Sequence, residues 1–197
     1  MVLRSTVFRA FVLIAGLAAA PLVLAPKAMA QVTIFSGADS QATACSLAAR
    51  HGNATPETLH VCNLAIEHEA LFGRDLAGTY VNRGVLYLRL EAWDRARADF
   101  NEALAIYPTM GEALVNRGAV RIHDRHLKEG VADIDLGLTY NPQQPERAYY
   151  NRALAKERLD DVKGAYFDFL KATELAPNWT PPQEELKRYT VARRDAG

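Results

Sequence analysis

The chain has 197 residues, which predicts one domain, or one and a half, and is ample for a packed core. Hydrophobic residues make up 49% of the sequence and charged residues 23%, a composition that excludes disordered and low-complexity proteins. Lys and Arg number 23, as do Asp and Glu, so the net charge of zero gives no reason to expect a nucleic-acid partner.

The first 30 residues have the pattern of a secretory signal peptide. Two arginines precede an apolar run at residues 10–25, and an A-x-A cleavage site follows at residues 28–30. An uncleaved anchor is the alternative, but about 16 apolar residues interrupted by Pro21 are short for a bilayer, which needs about 20. We therefore predict secretion across the inner membrane to the periplasm, a mature chain that starts at Gln31, and no stable membrane insertion.

A degenerate pair of helices is predicted over residues 41–76, after a flexible N-terminal segment at residues 31–40. Its helices should cover Gln41 to His51 and Pro56 to about Phe72. Cys45 and Cys62, the only cysteines, fall in this pair, 17 residues apart. Because export leads to an oxidising compartment, we predict a disulfide between the two helices, with two buried free thiols as the alternative.

From residue 77 onward the sequence repeats with a period of 34 to 35 residues. The stretches YVNRG, LVNRG and YYNRA begin the repeats, and each repeat ends in a proline: Pro108, Pro142 and Pro177. The segments 77–110, 111–144 and 145–179 are therefore predicted to fold as stacked helix pairs. Because proline lacks an N–H and clashes with the preceding turn, each second helix should end before its proline.

These segments resemble the tetratricopeptide repeat (TPR) family, whose pattern is W-x2-L-G-x2-Y, then A-x3-F, then P. The first segment fits best, with Tyr80, Gly84, Tyr87, Ala96, Phe100 and Pro108 in register. The other two depart from the pattern where Arg121 and Lys156 replace the second aromatic residue. The resemblance implies an all-α, right-handed solenoid of antiparallel helix pairs that binds other proteins.

Each pair is expected to bring a small residue close to a large one: Gly84 to Phe100, Gly118 to Ile134 and Ala153 to Phe169. In the second segment, Gly130 and Gly137 each cost up to about 1 kcal/mol of helix propensity, and Gly137 also removes a packing methyl. We therefore predict that this segment is the softest of the three.

The predicted solenoid closes with a capping helix and tail at residues 180–197. The stretch from Thr180 to Gln183 has the pattern of a capping box with proline at the helix start, and Leu186, Tyr189 and Arg193 follow at helical spacing.

Helical spacing divides the first helix of each segment into a packed side and a free side. In the first segment Tyr80, Gly84 and Tyr87 share the packed side, and Asn82 lies opposite. In a TPR-like superhelix the free side lines a concave groove, so the predicted peptide-binding residues are Asn82, Val85, Arg89, Asn116, Ala119, His123, Arg147, Tyr150, Asn151, Leu154 and Arg158.

An asparagine recurs at the same groove position in every repeat: Asn82, Asn116 and Asn151. Because an amide both donates and accepts hydrogen bonds, it can pair with the N–H and the C=O of an extended peptide. We predict that the three asparagines face solvent in the free protein and form a ladder along a bound peptide. The alternative is that they cap or bridge neighbouring helices.

An arginine follows each asparagine, and an aspartate follows each arginine sixteen residues later: Arg83 and Asp99, Arg117 and Asp133, Arg152 and Asp168. A charge on the packed side of a helix is costly unless it is paired. We therefore predict an ion pair between the two helices of each repeat. A row of arginines that grips anionic peptides is the alternative.

No motif of an enzyme, metal protein or cofactor-binding protein is recognised in the sequence. His123 and His126 lie three residues apart, but no further ligands complete a metal site. TPR domains that clamp a C-terminal carboxylate carry Lys and Asn where this chain has Val81 and Val85. We therefore predict an exported adaptor that binds an internal peptide or protein segment. The alternative is a structural envelope component that self-associates, with the groove empty or filled by its own residues 32–35.

Overall fold

The computed structural model describes residues 11–15, 30–31 and 40–193. In this part of the chain the helices are α1 (Gln41–His51), α2 (Pro56–His68), α3 (Gly73–Arg89), α4 (Trp93–Ile106), α5 (Gly111–His123), α6 (Leu127–Thr139), α7 (Pro145–Arg158), α8 (Val162–Leu175) and α9 (Thr180–Leu186). Two short strands, β1 (Phe11–Ala15) and β2 (Tyr189–Arg193), accompany them. The architecture is all-α, as predicted, with one added strand pair.

The helices pack as antiparallel pairs, each formed by neighbours in sequence: α1 with α2, α3 with α4, α5 with α6, and α7 with α8. The first helices of successive pairs also contact one another, because α5 touches both α3 and α7. These three helices therefore form one continuous layer. The second helix of each pair packs against the first helix of the next, as α4 does against α5 and α6 against α7.

The repeat boundaries follow the prolines. Helices α4, α6 and α8 end at Ile106, Thr139 and Leu175, in each case two or three residues before the proline. Small residues allow close approach within the first two pairs, because a Cβ atom on Gly84 would lie 2.6 Å from the Phe100 ring and one on Gly118 2.7 Å from Ile134. Both of these expected contacts are confirmed.

Glycines hold α5 and α6 at close range, contrary to the expectation for Gly137. A Cβ atom on Gly137 would lie 2.9 Å from Val115 and 3.0 Å from the carbonyl oxygen of Gly111, so there is no space for a packing methyl. A Cβ atom on Gly130 would lie 2.8 Å from the carbonyl oxygen of Gly118. The predicted softness of this pair stays a prediction, but a missing methyl at Gly137 no longer supports it.

The N-terminal pair forms as predicted, with a shorter second helix. Thr55 and Thr58 make a reciprocal capping box at the start of α2, with Pro56 in the first turn. Helix α2 ends at His68 rather than near Phe72, because the chain becomes extended at Glu69. The Glu69 carboxylate accepts hydrogen bonds from the backbone N–H groups of Gln41 and Ala42, and so caps α1.

The two cysteines lie where α1 meets α2. The Sγ atoms of Cys45 and Cys62 are 2.05 Å apart, and both residues are fully buried. This is a disulfide distance, in the pair that lacks the arginine and aspartate of the later repeats.

The C-terminal region departs from the predicted capping helix. Helix α9 has seven residues, its N-cap Trp179 makes no side-chain cap hydrogen bond, and the expected capping box at Thr180 is absent from the described contacts. Beyond it, β2 pairs antiparallel with β1, from Phe11 opposite Arg193 to Ala15 opposite Tyr189. Helical spacing over residues 186–193 was misleading because β1 supplies backbone partners that favour an extended chain.

Candidate functional site

The three repeated asparagines lie on the layer formed by α3, α5 and α7. Asn82 and Asn116 are fully buried and Asn151 is 3% exposed, so the prediction that they face solvent is wrong. Asn116 is covered by the chain itself, at residues 30 and 31, and neither Asn82 nor Asn151 is without a partner. At Asn116 the layer is therefore occupied rather than open.

Asn116 holds the backbone of Gln31 with two hydrogen bonds. The N–H of Gln31 donates to Oδ1 of Asn116 at 2.8 Å, and Nδ2 of Asn116 donates to the carbonyl oxygen of Gln31 at 2.9 Å. This is the pairing predicted for a groove asparagine with an extended peptide. Gln31 is 0% exposed, so the prediction of a flexible segment fails at its first residue, and residues 32–39 lie outside the described part of the chain.

The side chain of Gln31 is also paired at both ends of its amide. Nε2 donates to the carbonyl oxygen of Gln144 at 3.1 Å, and Oε1 accepts from the backbone N–H of Gln144 at 3.4 Å. Gln144 lies immediately before α7, in a loop that Glu112 fixes by accepting a hydrogen bond from the N–H of Gln143. The loop thus presents its backbone to the segment that Asn116 holds.

Arg147 extends the contact to the preceding residue. Its Nη1 donates to the carbonyl oxygen of Ala30 at 2.9 Å. Burial lowers the pKa of Arg147, and Arg89 adds to the shift, while Glu146 opposes it. Ala30 itself is 8% exposed and belongs to the same buried apolar cluster as Val85, one of the predicted groove residues.

The remaining predicted groove residues are not all brought together. Val85, Ala119 and Tyr150 are buried, Leu154 is partly buried, and Arg89, His123 and Arg158 are exposed. Arg89 donates to the carbonyl oxygen of Ala49. The His123 ring stacks on the Trp93 ring, with the two ring centroids 3.7 Å apart. The described hydrogen bonds to residues 30 and 31 come from Asn116, Arg147 and Gln144. Sequence analysis missed Gln144 because it acts through its backbone N–H and C=O.

Tyr150 is part of the core at the C-terminal end. Its ring packs edge-on against Phe169 and Trp179, at centroid distances of 5.6 and 5.1 Å. Burial raises the pKa of Tyr150 to about 12, helped by the charges of Glu185 and Glu157. The next residue, Asn151, lies at the position that Asn82 and Asn116 occupy in the first two repeats.

The predicted ion pairs are confirmed in all three repeats. In each, Nε and Nη2 of the arginine donate to the two carboxylate oxygens of the aspartate, over distances of 2.6 to 2.9 Å. Burial disfavours the charged guanidinium of Arg83, but the hydrogen bonds and charge of Asp99 outweigh it and raise the pKa of Arg83. The arginines are thus occupied inside the repeats rather than offered to a ligand.

Each arginine also reaches the preceding helix pair, a link that sequence analysis missed. Nη1 donates to a side-chain oxygen on the second helix of the previous pair, and the acceptors are Asn63, Asn101 and Asp135 for Arg83, Arg117 and Arg152. Each acceptor follows directly after the residue that packs at the centre of its helix: Cys62, Phe100 and Ile134. That recurrence is the signal from which the link could have been found.

The two residues that depart from the repeat pattern take part in the ion pairs of their own repeats. Arg121 and Lys156 stand where an aromatic residue was expected, and each forms a second ion pair with the aspartate of its own repeat, both at 2.8 Å. In the first repeat Tyr87 keeps the aromatic position, with the Arg83 guanidinium 6.0 Å from the centre of its ring.

Within the described residues, no group of three or more His, Cys, Asp and Glu side chains is arranged to hold a metal ion. Nor is any described helix long and apolar enough to cross a membrane.

Comparison with protein families matches residues 77–110 and residues 146–178 to the tetratricopeptide repeat. These matches coincide with the first and third predicted segments. The intervening segment folds as the same kind of helix pair. Comparison with curated protein sequences finds no match.

Several solved structures share the fold of this chain. The first TPR domain of Spaghetti (RPAP3), bound to the HSP90 peptide SRMEEVD, is 20% identical with a TM-score of 0.55, over 59% of this chain and 92% of that chain. PilF of Pseudomonas aeruginosa is 17% identical with a TM-score of 0.63, over 74% and 64% of the two chains. MamA from Desulfovibrio magneticus RS-1 is 20% identical with a TM-score of 0.57, over 75% and 82%.

Proposed function

Because the chain is a tetratricopeptide repeat protein, a non-enzymatic scaffold, we propose that it is an adaptor that binds an extended segment of another protein. The binding surface is the layer of α3, α5 and α7 that carries the repeated asparagines. One observation carries this proposal: Asn116 pairs with both the N–H and the C=O of Gln31 on that layer. These hydrogen bonds involve only the backbone of the bound residue, so they are compatible with many ligand sequences.

The proposed ligand is an internal segment rather than a chain terminus. The similar RPAP3 domain is bound to an HSP90 peptide, which supports peptide binding by this fold. A terminal carboxylate needs donors, but this chain has Val81 and Val85 at two positions of the carboxylate clamp, and both side chains are fully buried. Arg147, a cation on this surface, donates to a backbone carbonyl.

Export is the second part of the proposal. The signal-peptide pattern of residues 1–30 supports it, as does a disulfide distance between the only two cysteines. We expect the chain recovered from the periplasm to have the intact mass of residues 31–197. A soluble cytoplasmic species that keeps residues 1–30 would contradict export.

Peptide selection tests the adaptor function. Peptides of about 12 residues are selected on the Gln31→Glu chain, in which the chain's own residue no longer fits against Asn116. They should bind the same chain with Asn116→Ala roughly 5- to 100-fold more weakly, because two hydrogen bonds worth about 0.5–1.5 kcal/mol each are lost. The matched control is the same chain with Asn178→Ala, which removes an exposed asparagine outside the groove and should leave the affinity unchanged. Fluorescence anisotropy measures the affinity and circular dichroism verifies folding.

Equal binding to both variants would refute the groove as the binding surface. If no peptide is selected and the mass by light scattering rises with concentration, the alternative of a self-associating envelope component replaces the adaptor.

A further inference from the structure

We propose that the groove at Asn116 is a subsite that selects a glutamine side chain, and that the chain's own Ala30–Gln31 segment fills it in the intact chain of residues 1–197, before the proposed cleavage after Ala30. The proposal deepens the peptide-binding function proposed above and rests on it. It names the residue type that this part of the groove accepts and the segment that competes for it.

Every polar group of Gln31 is paired in this subsite. Asn116 pairs with its backbone N–H and C=O, and the backbone of Gln144 pairs with its side-chain Nε2 and Oε1. Gln31 is fully buried, one of the largest side chains in the described chain to be so. A buried polar side chain is tolerated only when it is satisfied in this way.

The partners of the side chain favour an amide of this length. A carboxylate in its place would set an oxygen acceptor against the carbonyl oxygen of Gln144, which already accepts from the N–H of Arg147. An apolar side chain would take away the acceptor that pairs with the backbone N–H of Gln144. Asparagine is one methylene shorter, so it cannot reach Gln144 while its backbone stays on Asn116. Glutamine satisfies both partners at once.

The neighbouring contacts define what precedes the glutamine. Ala30 is buried among apolar groups, and its carbonyl oxygen accepts from Arg147. The subsite therefore takes a small residue followed by glutamine. Gln144 has further capacity, because its side-chain Oε1 is buried and has no hydrogen-bond partner in the described part of the chain. A buried acceptor without a donor is costly, so this atom favours a ligand that supplies one.

A peptide with the sequence of residues 27–36, KAMAQVTIFS, tests occupancy and selectivity together when its N-terminus is acetylated and it carries a fluorescent label. Its affinity is measured by anisotropy for the intact wild-type chain and for the intact Gln31→Glu variant. In the variant the chain's own segment no longer fits, so we expect the peptide to bind at least 10-fold more tightly than to the wild type. A second peptide with Glu in place of the glutamine should bind the variant at least 10-fold more weakly than the first.

A third chain, Gln31→Glu with Asn116→Asp, verifies the site, because aspartate keeps the acceptor and the volume but loses the donor to the peptide carbonyl. This double variant should lose most of the increase in affinity for the first peptide that Gln31→Glu shows, while its circular dichroism spectrum stays unchanged. If the wild type and Gln31→Glu bind the first peptide equally, the chain does not fill its own subsite. If the two peptides bind Gln31→Glu equally, or neither binds it, the glutamine selectivity is overturned. The selected peptides of the preceding experiment, which depend on Asn116 alone, report on the adaptor function separately.

Discussion

At the scale of single residues, the repeat arginines differ in whether their removal leaves the buried aspartate without a cation. Asp99 is 4% exposed, and Arg83 is its ion-pair partner among the described residues, whereas Asp133 also pairs with Arg121. Breaking a buried pair from one side leaves an uncompensated charge, which costs about 3–5 kcal/mol. A second cation reduces that cost.

We therefore expect Arg83→Ala to lower the free energy of unfolding by about 3–5 kcal/mol, and Arg117→Ala to lower it clearly less. Urea unfolding followed by circular dichroism measures both values. The control is Lys171→Ala, which breaks an exposed pair with Glu174 on α8 and should cost at most about 1 kcal/mol. Equal losses for the two arginine variants would show that Arg121 does not compensate Asp133.

At the scale of secondary-structure elements, α5 and α6 are joined through facing glycines. The carbonyl oxygens of Gly118 and Gly111 lie close to where Cβ atoms on Gly130 and Gly137 would be. Helix propensity and packing therefore make opposite predictions for a Gly-to-Ala change. Propensity favours alanine by up to about 1 kcal/mol, whereas a Cβ atom 2.8 Å from a backbone oxygen forces the helices apart.

We expect packing to prevail, so that Gly130→Ala lowers the free energy of unfolding by about 1–3 kcal/mol. Chemical denaturation measures the change. The matched control is Ala132→Gly on the exposed side of the same helix, which reports the propensity cost alone, up to about 1 kcal/mol. A more stable Gly130→Ala protein would mean that α5 and α6 separate easily and that propensity dominates.

At the scale of the whole molecule, segments from the N-terminal region lie against later parts of the solenoid. Strand β1 pairs with β2, and residues 30 and 31 lie on α5 and α7. The proposed cleavage after Ala30 would remove β1 and leave β2 without this partner. A lone strand has no ladder of hydrogen bonds to protect its amides.

We expect amides in residues 190–193 to exchange with solvent much faster in a chain that begins at Gln31 than in the intact chain. Hydrogen exchange with mass spectrometry measures the difference, and the amides of α4, a helix of the first repeat that pairs with α3, serve as the internal control. Equal protection of residues 190–193 in both chains would show that another segment takes the place of β1.

The sequence by itself determined the repeats, because their residues act locally and periodically. Prolines end the second helices, small residues face large ones, and each arginine finds an aspartate at a fixed distance along the same helix pair. The asparagines could be assigned to one layer by helical spacing alone. Such features repeat in register, so each occurrence supports the others.

Only the tertiary structure decided the features that depend on residues far apart in sequence. Gln31 meets Asn116 across 85 positions and Gln144 across 113, and β1 turns the predicted helical tail into a strand. The glycines of α6 looked like weak points because their helix was considered without α5. In each case the local preference was overridden by a partner whose position no periodic pattern contains, since buried backbone and side-chain polar groups must be satisfied wherever the fold places them.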